Sequence, residues 1–352
     1  MAAIRRSTLR DVAMRAGVSV TTVSVVLNGR QDGVRVPDAT RERVRRAAGE
    51  LDYRPNQTAR DLRQSSSRTI GFISDEVTTT PFAVPMLSAA QEVASHNGHL
   101  LFVVNLGHVV GADLQRDAID TLLQHQVTGL VFACMYHQEV EPPPSLPDGT
   151  VFVNCRAKRG PFRSIIPAEQ SAAAAAVRLL LDTGHRRIGF LDDPLIPVAH
   201  RLRLAGYHDA LREYNVVPDP RLHLSSQATV AGGVAGGALL DLPQDVRPTA
   251  IFCFNDRMAM GLYRAARHRG LNVPGDLSII GFDDQEFIAS ELDPPLTTMR
   301  LPHVEMGRLA IESVLDLDTE YAGWQPGPAK GSSVAMLECP VVERESVAPP
   351  AG

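Results

Sequence analysis

Apolar positions change their period along this chain. In residues 8–53 they recur at helical spacing, and three faces follow in order: Leu9, Val12, Ala13 and Ala16; Val23, Val26 and Leu27; Val44, Ala47, Ala48 and Leu51. The pattern predicts three short helices. Thr8, with Asp11 three positions on, reads as a capping box. Gly17 ends the first helix, because a tight exit needs a left-handed residue. Ser19 caps the second, Asn28-Gly29 stops it, and Asp38 caps the third. From residue 68 short apolar runs of strand length, "TIGFIS", "LLFVVN", "GLVFAC" and "VFVNC", alternate with helix-like segments. The alternation resumes in "RIGFLDD", "AIFCFND" and "SIIGFDD". Strand and helix alternating in this way predict parallel α/β sheets covered by helices, and two such series predict two lobes.

The first two helices also meet the needs of a helix-turn-helix. Ala13 lets the helices approach, Gly17 makes the turn, and Val23 packs between them. In such a unit the second helix enters the DNA major groove, which turns Val20, Thr21, Thr22, Ser24 and Val25 toward bases or backbone. A small helical bundle without that purpose gives the same pattern. Pro55-Asn56 breaks the third helix. Gln57–Arg63 spans about two turns, too few to stand alone, and Ser65, Ser66 and Ser67 form a joint. A marginal helix carrying Ala59 and Leu62 builds no core. Ordered against a second copy and DNA, it would offer Leu62 as an apolar wedge in the minor groove.

Composition narrows the class. With 352 residues, 44% of them hydrophobic, the chain has material for two or three cores. Its four cysteines, at 134, 155, 253 and 339, include no C-x-x-C pair, so buried reduced thiols are expected rather than a metal site or disulfides. The first residues lack the apolar run of a secretory signal, and no apolar stretch has bilayer length. The expectation is a cytoplasmic protein without a membrane partner. The glycine cluster at 231–238 fits neither common phosphate-loop spacing, and no H-E-x-x-H or G-x-S-x-G occurs. No cofactor, metal or enzymatic activity is expected. Net charge is −5, but residues 1–65 carry +6 and the remainder −11. A basic head on an acidic body is a footprint of nucleic-acid binding.

The stretches "TLRDVAMRAGVSVTTVSVVLNG", "TRERVRRAAGELDYRPN" and "ARDLR…SRTIG", in this order and spacing, resemble the opening of the LacI/GalR family of bacterial transcriptional regulators. The resemblance implies a helix-turn-helix head over 1–53 and a hinge helix with linker over 54–67. It further implies a two-lobed, periplasmic-binding-protein-like core over 68–352. Lobe one is expected at about 68–160 and 293–325, and lobe two at about 161–292 and 326–345. It also implies a homodimeric repressor on a palindromic double-stranded operator, released by a small-molecule effector, a carbohydrate or related polyhydroxylated metabolite. A corepressor or activator would use the same architecture. A sugar-binding or sugar-processing protein with a head that does not bind DNA is the distant alternative. The DNA-facing set comprises Thr8, Ser19, Val20, Thr21, Thr22, Ser24, Val25, Asn28, Arg30, Arg35, Asn56, Ala59 and Leu62. Relatives commonly carry arginine at the position of Val25. Valine offers only apolar contact, for example to a thymine methyl, which leaves the operator sequence open.

Ligands in open parallel sheets bind beyond the carboxyl ends of strands. Those ends supply Asp75, Phe82, Asp193, Arg201, Arg203, Asn255 and Asp283 as effector-binding candidates, with Asp192, Asp256 and Asp284 beside them. Acids and amides pair with hydroxyls, and a ring covers an apolar sugar face. Asp256 as a helix cap and Asp284 as a turn former are equally available readings. The resemblance favours Arg203, Asn255, Asp283 and Phe82. Two departures from it, Ala83 in place of a second aromatic residue and Pro167-Ala168 in place of a cleft aspartate, leave room for a larger ligand. The tail "SVAPPAG" carries no leucine heptad and is expected to fray, giving a dimer rather than a tail-assembled tetramer.

Overall fold

The computed structural model describes residues 7–28, 36–53, 67–77, 80, 83–107, 111–317 and 321–351, with only the backbone at Asn28 and Ala112. The chain forms two units, Met1–Ser67 and Arg68–Gly352.

In the first unit, α1 (Leu9–Ala16), α2 (Val20–Asn28) and α3 (Asp38–Glu50) enclose a core of Val12, Ala13, Ala16, Val23, Val26, Val44, Ala47 and Ala48. Thr8 Oγ1 accepts from Asp11 N at 3.3 Å, and the Asp11 carboxylate accepts from Thr8 N at 2.7 Å. Gly17 takes φ 63°, ψ 42°, a left-handed pair that costs a residue with a Cβ about 1–2 kcal/mol. Ser19 Oγ accepts from Thr22 N at 3.1 Å and so caps α2. The third cap differs from expectation. Pro37 holds that position without a side-chain bond, and Asp38 lies inside the first turn. Arg15 reaches Glu50 at 2.7 Å and ties α1 to α3.

The second unit holds two sheets. Lobe one carries β1 (Thr69–Ser74), β2 (Leu100–Asn105), β3 (Leu130–Val140), β4 (Val151–Ala157), β5 (Arg163–Pro167), β11 (Trp324–Pro326) and β12 (Ser333–Leu337), in the order β11-β12-β5-β4-β3-β1-β2. All of its pairs are parallel except β11 with β12. Helices α4 (Ala83–His96), α5 (Ala112–Gln124) and α10 (His303–Val314) cover it. Lobe two carries β6 (Ile188–Asp192), β7 (His223–Ser225), β8 (Ala250–Cys253), β9 (Ser278–Asp283), β10 (Thr297–Arg300) and β13 (Val341–Val342), in the order β13-β10-β9-β8-β6-β7. Here only β13 runs antiparallel, against β10. Helices α6 (Glu169–Asp182), α7 (Pro197–Glu213), α8 (Val230–Ala235) and α9 (Asp256–His268) cover it. The strands buried on both faces read as continuous apolar runs, as parallel sheets require.

The lobe boundaries differ from those read in the sequence. The segment 161–167 belongs to lobe one, because β5 pairs with β4 and β12. The segment 293–300 stays in lobe two, because β10 completes four pairs with β9. The chain therefore crosses three times, at Ala168, at Leu301-Pro302 and at 338–340. The strands at 324–337, expected largely in lobe two, fill the lobe-one edge instead. Backbone bonds lace the crossings together: Ala168 N donates to Leu337 O at 2.8 Å, and Arg300 N to Pro340 O at 2.8 Å. The tail does not fray. Ser346 is fully buried, its Oγ accepts from Thr297 N at 2.8 Å, and Ala348 O accepts from Ser278 Oγ at 3.0 Å.

Candidate functional site

The crossings converge on a charged cluster. Glu169 opens α6 directly after the first crossing, His303 opens α10 directly after the second, and Cys339 lies within the third. Arg203, one helical turn before Gly206 on α7, reaches into this cluster. Its Nε donates to Glu169 Oε2 at 2.5 Å, its Nη1 donates to the Phe254 carbonyl, and its Nη2 stands 3.7 Å from Asp283 Oδ1. The guanidinium lies 3.7 Å from the Phe282 ring centre and 4.4 Å from that of Phe254, so cation–π attraction adds to the ion pairs. Gly206 makes the arrangement possible. A Cβ there would meet Gln170 O at 2.2 Å, so only glycine lets α7 approach the first turn of α6 this closely.

Glu169, Arg203, Phe254 and Asp283 line a narrow cavity between the lobes. Met135, Tyr136, His137, Asn154 and Leu301 come from lobe one and the second crossing. Glu169, Ile196, Ala199, Arg203, Phe254, Asn255 and Asp283 come from lobe two. Its free volume is about 20 Å³, room for one water and far too little for a sugar ring. A wider cavity of about 490 Å³ adjoins it, sharing Asp283 and Leu301, with Val84, Pro85, Phe287, Arg300, Val304 and Glu305 around it.

Burial raises the Asp283 carboxyl to about 6, against the opposing pull of Arg203, Gln285 and Arg257. Burial likewise lowers His303 to about 4, which keeps its ring neutral at physiological pH. Asp283 takes φ 111°, a strained backbone of the kind found at ligand sites. Asp256, beside it, is buried. It accepts from Thr298 Oγ1 at 2.6 Å and from Gln285 N at 2.7 Å, and burial pushes its carboxyl well up.

Of the effector candidates from the sequence, Arg203, Asn255 and Asp283 line the narrow cavity. Asn255 is also the helix cap offered for Asp256: its Oδ1 accepts from Met258 N at 2.9 Å, and its Nδ2 donates to Ala228 O at 3.2 Å. Three candidates are not brought into this cavity. Asp75 accepts from Glu76 N and Met135 N at 2.8 and 3.0 Å and so pins the irregular stretch of β3 where its register with β4 shifts. Asp193 accepts from Leu195 N at 2.9 Å and Ala228 N at 2.7 Å, joining two loops. Arg201 is exposed, since residues two apart on a helix face different ways. Phe82 lies outside the described residues. The sequence reading missed Glu169, His137 and His303. Glu169 and His303 follow strands that it did not recognise, "RSIIP" and "TTMR", and His137 lies in the unrecognised extension of β3.

In the head, Thr8, Ser19, Val20 and Thr21 are exposed, while Thr22 and Ser24 are half-buried. Val25 packs partly against the core, so its side chain is shared between that core and the surface. Arg30, Arg35, Asn56, Ala59 and Leu62 lie outside the described residues, as does the Asn28 side chain.

Residues 8–56 match the family model for bacterial regulatory proteins of the lacI family, and residues 177–347 match a periplasmic binding protein-like domain. The ribose operon repressor of Haemophilus influenzae is 34% identical over 97% of this chain and 98% of its own length. The transcriptional repressor CytR of Escherichia coli is 34% identical over 97% of this chain and 96% of its own. The chain belongs to the lacI family. Among solved structures, the Lac repressor dimer bound to operator and the anti-inducer ONPF superimposes with a TM-score of 0.78 at 28% identity, covering 98% of this chain and 100% of that one. The regulator CelR in complex with cellobiose gives 0.62 at 27% identity, covering 97% and 100%. This lacI-family member is a DNA-binding transcriptional repressor and not an enzyme. No helix among the described residues is long and apolar enough to cross a membrane.

Proposed function

We propose that the chain is a cytoplasmic homodimeric repressor that binds a palindromic operator. A carbohydrate or related polyhydroxylated molecule, bound in the cleft between the lobes, releases it. The head carries the first part. Ser19 caps α2 and leaves Val20 and Thr21 exposed at its start, where a recognition helix meets base edges. Thr22, Ser24, Val25 and Asn28 extend that face. Arg30, Arg35 and Asn56 serve the phosphates, and Ala59 and Leu62 the minor groove at the operator centre. The relatives solved with operator, ONPF and cellobiose point the same way.

The effector would meet Arg203, Asn255 and Asp283, with Phe82 as the covering ring. Asp75 and Asp193 position the loops around them. Beside Arg203 only about 20 Å³ is free, against about 490 Å³ in the adjoining cavity, so a sugar that reaches Arg203 must part the lobes there, and ligand and lobe angle are thermodynamically linked. A coupling of about 1–3 kcal/mol suffices to switch operator affinity. The dimer surface is proposed at β2. It is an edge strand, yet Leu100, Phe102 and Val103 are exposed on it. An uncovered apolar edge invites pairing with a second copy.

Selection of bound sequences from a random duplex pool, with and without a panel of neutral sugars, glycosides and nucleosides, tests this reading. An enriched palindrome lost on addition of one compound is the expected result. Absence of enrichment at low salt, from folded dimeric protein, would sink it.

A further inference from the structure

We infer that Arg203 is a carboxylate-binding subsite that the chain fills with its own Glu169, and that this pairing bars acidic ligands from the cleft and restricts it to uncharged polyhydroxylated ones. The inference rests on the reading of the cleft as the effector site and names its ligand class.

Two of the three nitrogens of the Arg203 guanidinium are hydrogen-bonded to the protein, and the third faces a second carboxylate. Nε serves Glu169 at 2.5 Å, Nη1 serves the Phe254 carbonyl, and Nη2 faces Asp283 at 3.7 Å. The rings of Phe254 and Phe282 lie against it. A planar fork of this kind suits a carboxylate or a phosphate, and the carboxylate here is built in. Glu169 and Arg203 are 2% and 3% exposed, so the pair is shielded from solvent.

The remaining charges disfavour an anion. Asp283 is the second carboxylate beside Arg203, and it also feels the charges of Arg257, Glu169 and Asp256. An added anion would meet two buried carboxylates, Glu169 and Asp283, with Arg203 already paired to the first. What the cavity offers is suited to a hydroxyl. Glu169 Oε1 stands 3.8 Å from His137 Nδ1, too far for a hydrogen bond between them. His137 is buried in the cavity wall, and its Nδ1 has no hydrogen-bond partner. A hydroxyl can donate to the carboxylate oxygen and accept from the ring nitrogen in its N–H tautomer. An anionic oxygen has no proton to donate and faces Glu169 as a like charge.

Formate serves as the test probe, with sodium chloride as the ionic-strength control, on the full-length wild type and on Glu169→Ala and Glu169→Gln. Removing the carboxylate takes from the buried guanidinium its hydrogen-bonded acid and leaves only Asp283 at 3.7 Å, so Glu169→Ala should melt lower by on the order of 5–10 °C. Millimolar formate, but not chloride, should restore part of that loss, while the wild type should not respond. Recovery of folded Glu169→Ala only when formate is supplied counts as the same result. If that variant folds under neither condition, Glu169→Gln decides. Its amide keeps the shape and removes the repulsion, so it should bind formate at least about tenfold more tightly than the wild type. Equal response of wild type and variant, or response of neither, overturns the inference.

A second arm pairs D-glucose with D-glucuronate and D-ribose with ribose 5-phosphate on the wild type. Tighter binding of an acidic member, with Arg257 as its cation, would also overturn the inference while leaving the effector-site reading intact. If no compound of any class changes operator binding, the effector-site reading falls, and the formate arm still decides the role of Glu169.

Discussion

Gly206 lies against the carbonyl of Gln170 so closely that a Cβ on it would stand 2.2 Å from the oxygen. That contact sets the approach of α7 to α6 and hence the reach of Arg203 to Glu169. Gly206→Ala must push the helices apart, so a loss of about 1–3 kcal/mol in stability is expected. The Arg203–Glu169 bond should lengthen with it. Chemical denaturation measures the first effect and a crystal structure of the variant the second. Unchanged stability would mean that the interface yields without cost.

Two of the titrating groups at the cleft, Asp283 and His303, should act on stability in opposite directions. Asp283 is raised to about 6 from an ordinary 3.8. The folded state therefore holds its proton more tightly, and stability falls as pH rises from about 4 to 6. His303 is lowered to about 4 from 6.5. The unfolded state then binds the proton more tightly, and stability falls as pH drops through the same window. Each limit is about 1.4 kcal/mol per pH unit. Asp283→Asn should unmask the His303 slope and His303→Gln the Asp283 slope. Denaturation midpoints between pH 4 and 6.5 report both, and slopes of the same sign in the two variants would contradict the assignment.

Ser19 and Thr21 should separate folding from recognition. Ser19 caps α2, so Ser19→Ala should cost about 1 kcal/mol of head stability. Thr21 is exposed, so Thr21→Ala should leave the melting temperature alone while weakening the selected operator. Thermal melts and a salt-controlled binding assay check the pair. Equal operator affinity for Thr21→Ala and wild type would remove Thr21 from the recognition face.

Val103 is exposed in the edge strand β2. Val103→Glu should shift the chain toward monomer in sedimentation without unfolding it, and should weaken operator binding, because two half-sites would no longer be held together. A variant that stays fully dimeric would place the dimer surface elsewhere.

Arg201→Ala should leave the response to effector unchanged, because Arg201 is exposed and outside the cavity. Asp193→Ala should instead reduce stability, because it leaves two backbone donors without their acceptor. Titration of effector against operator complex distinguishes these outcomes.

Local chemistry was legible in the sequence wherever it depends on neighbours a few residues apart. The Thr8–Asp11 box, the left-handed Gly17, the Ser19 cap and the alternation of strands and helices follow from short-range sterics and hydrogen bonding. Arg203, Asn255 and Asp283 were legible for a similar reason: a strand end or the helix that follows it marks each. The tertiary structure decided what depends on distant partners. Whether β5, β10 and β12 join one sheet or the other is set by pairing across more than a hundred residues in places, and no local pattern encodes it. Asp75 and Asp193 looked like ligand groups because a carboxylate in sequence does not reveal which backbone N–H it will accept from. Glu169 looked like an ordinary first-turn acid. Only the close approach of α6 and α7, together with the three crossings, buries it on Arg203 and makes it part of the site.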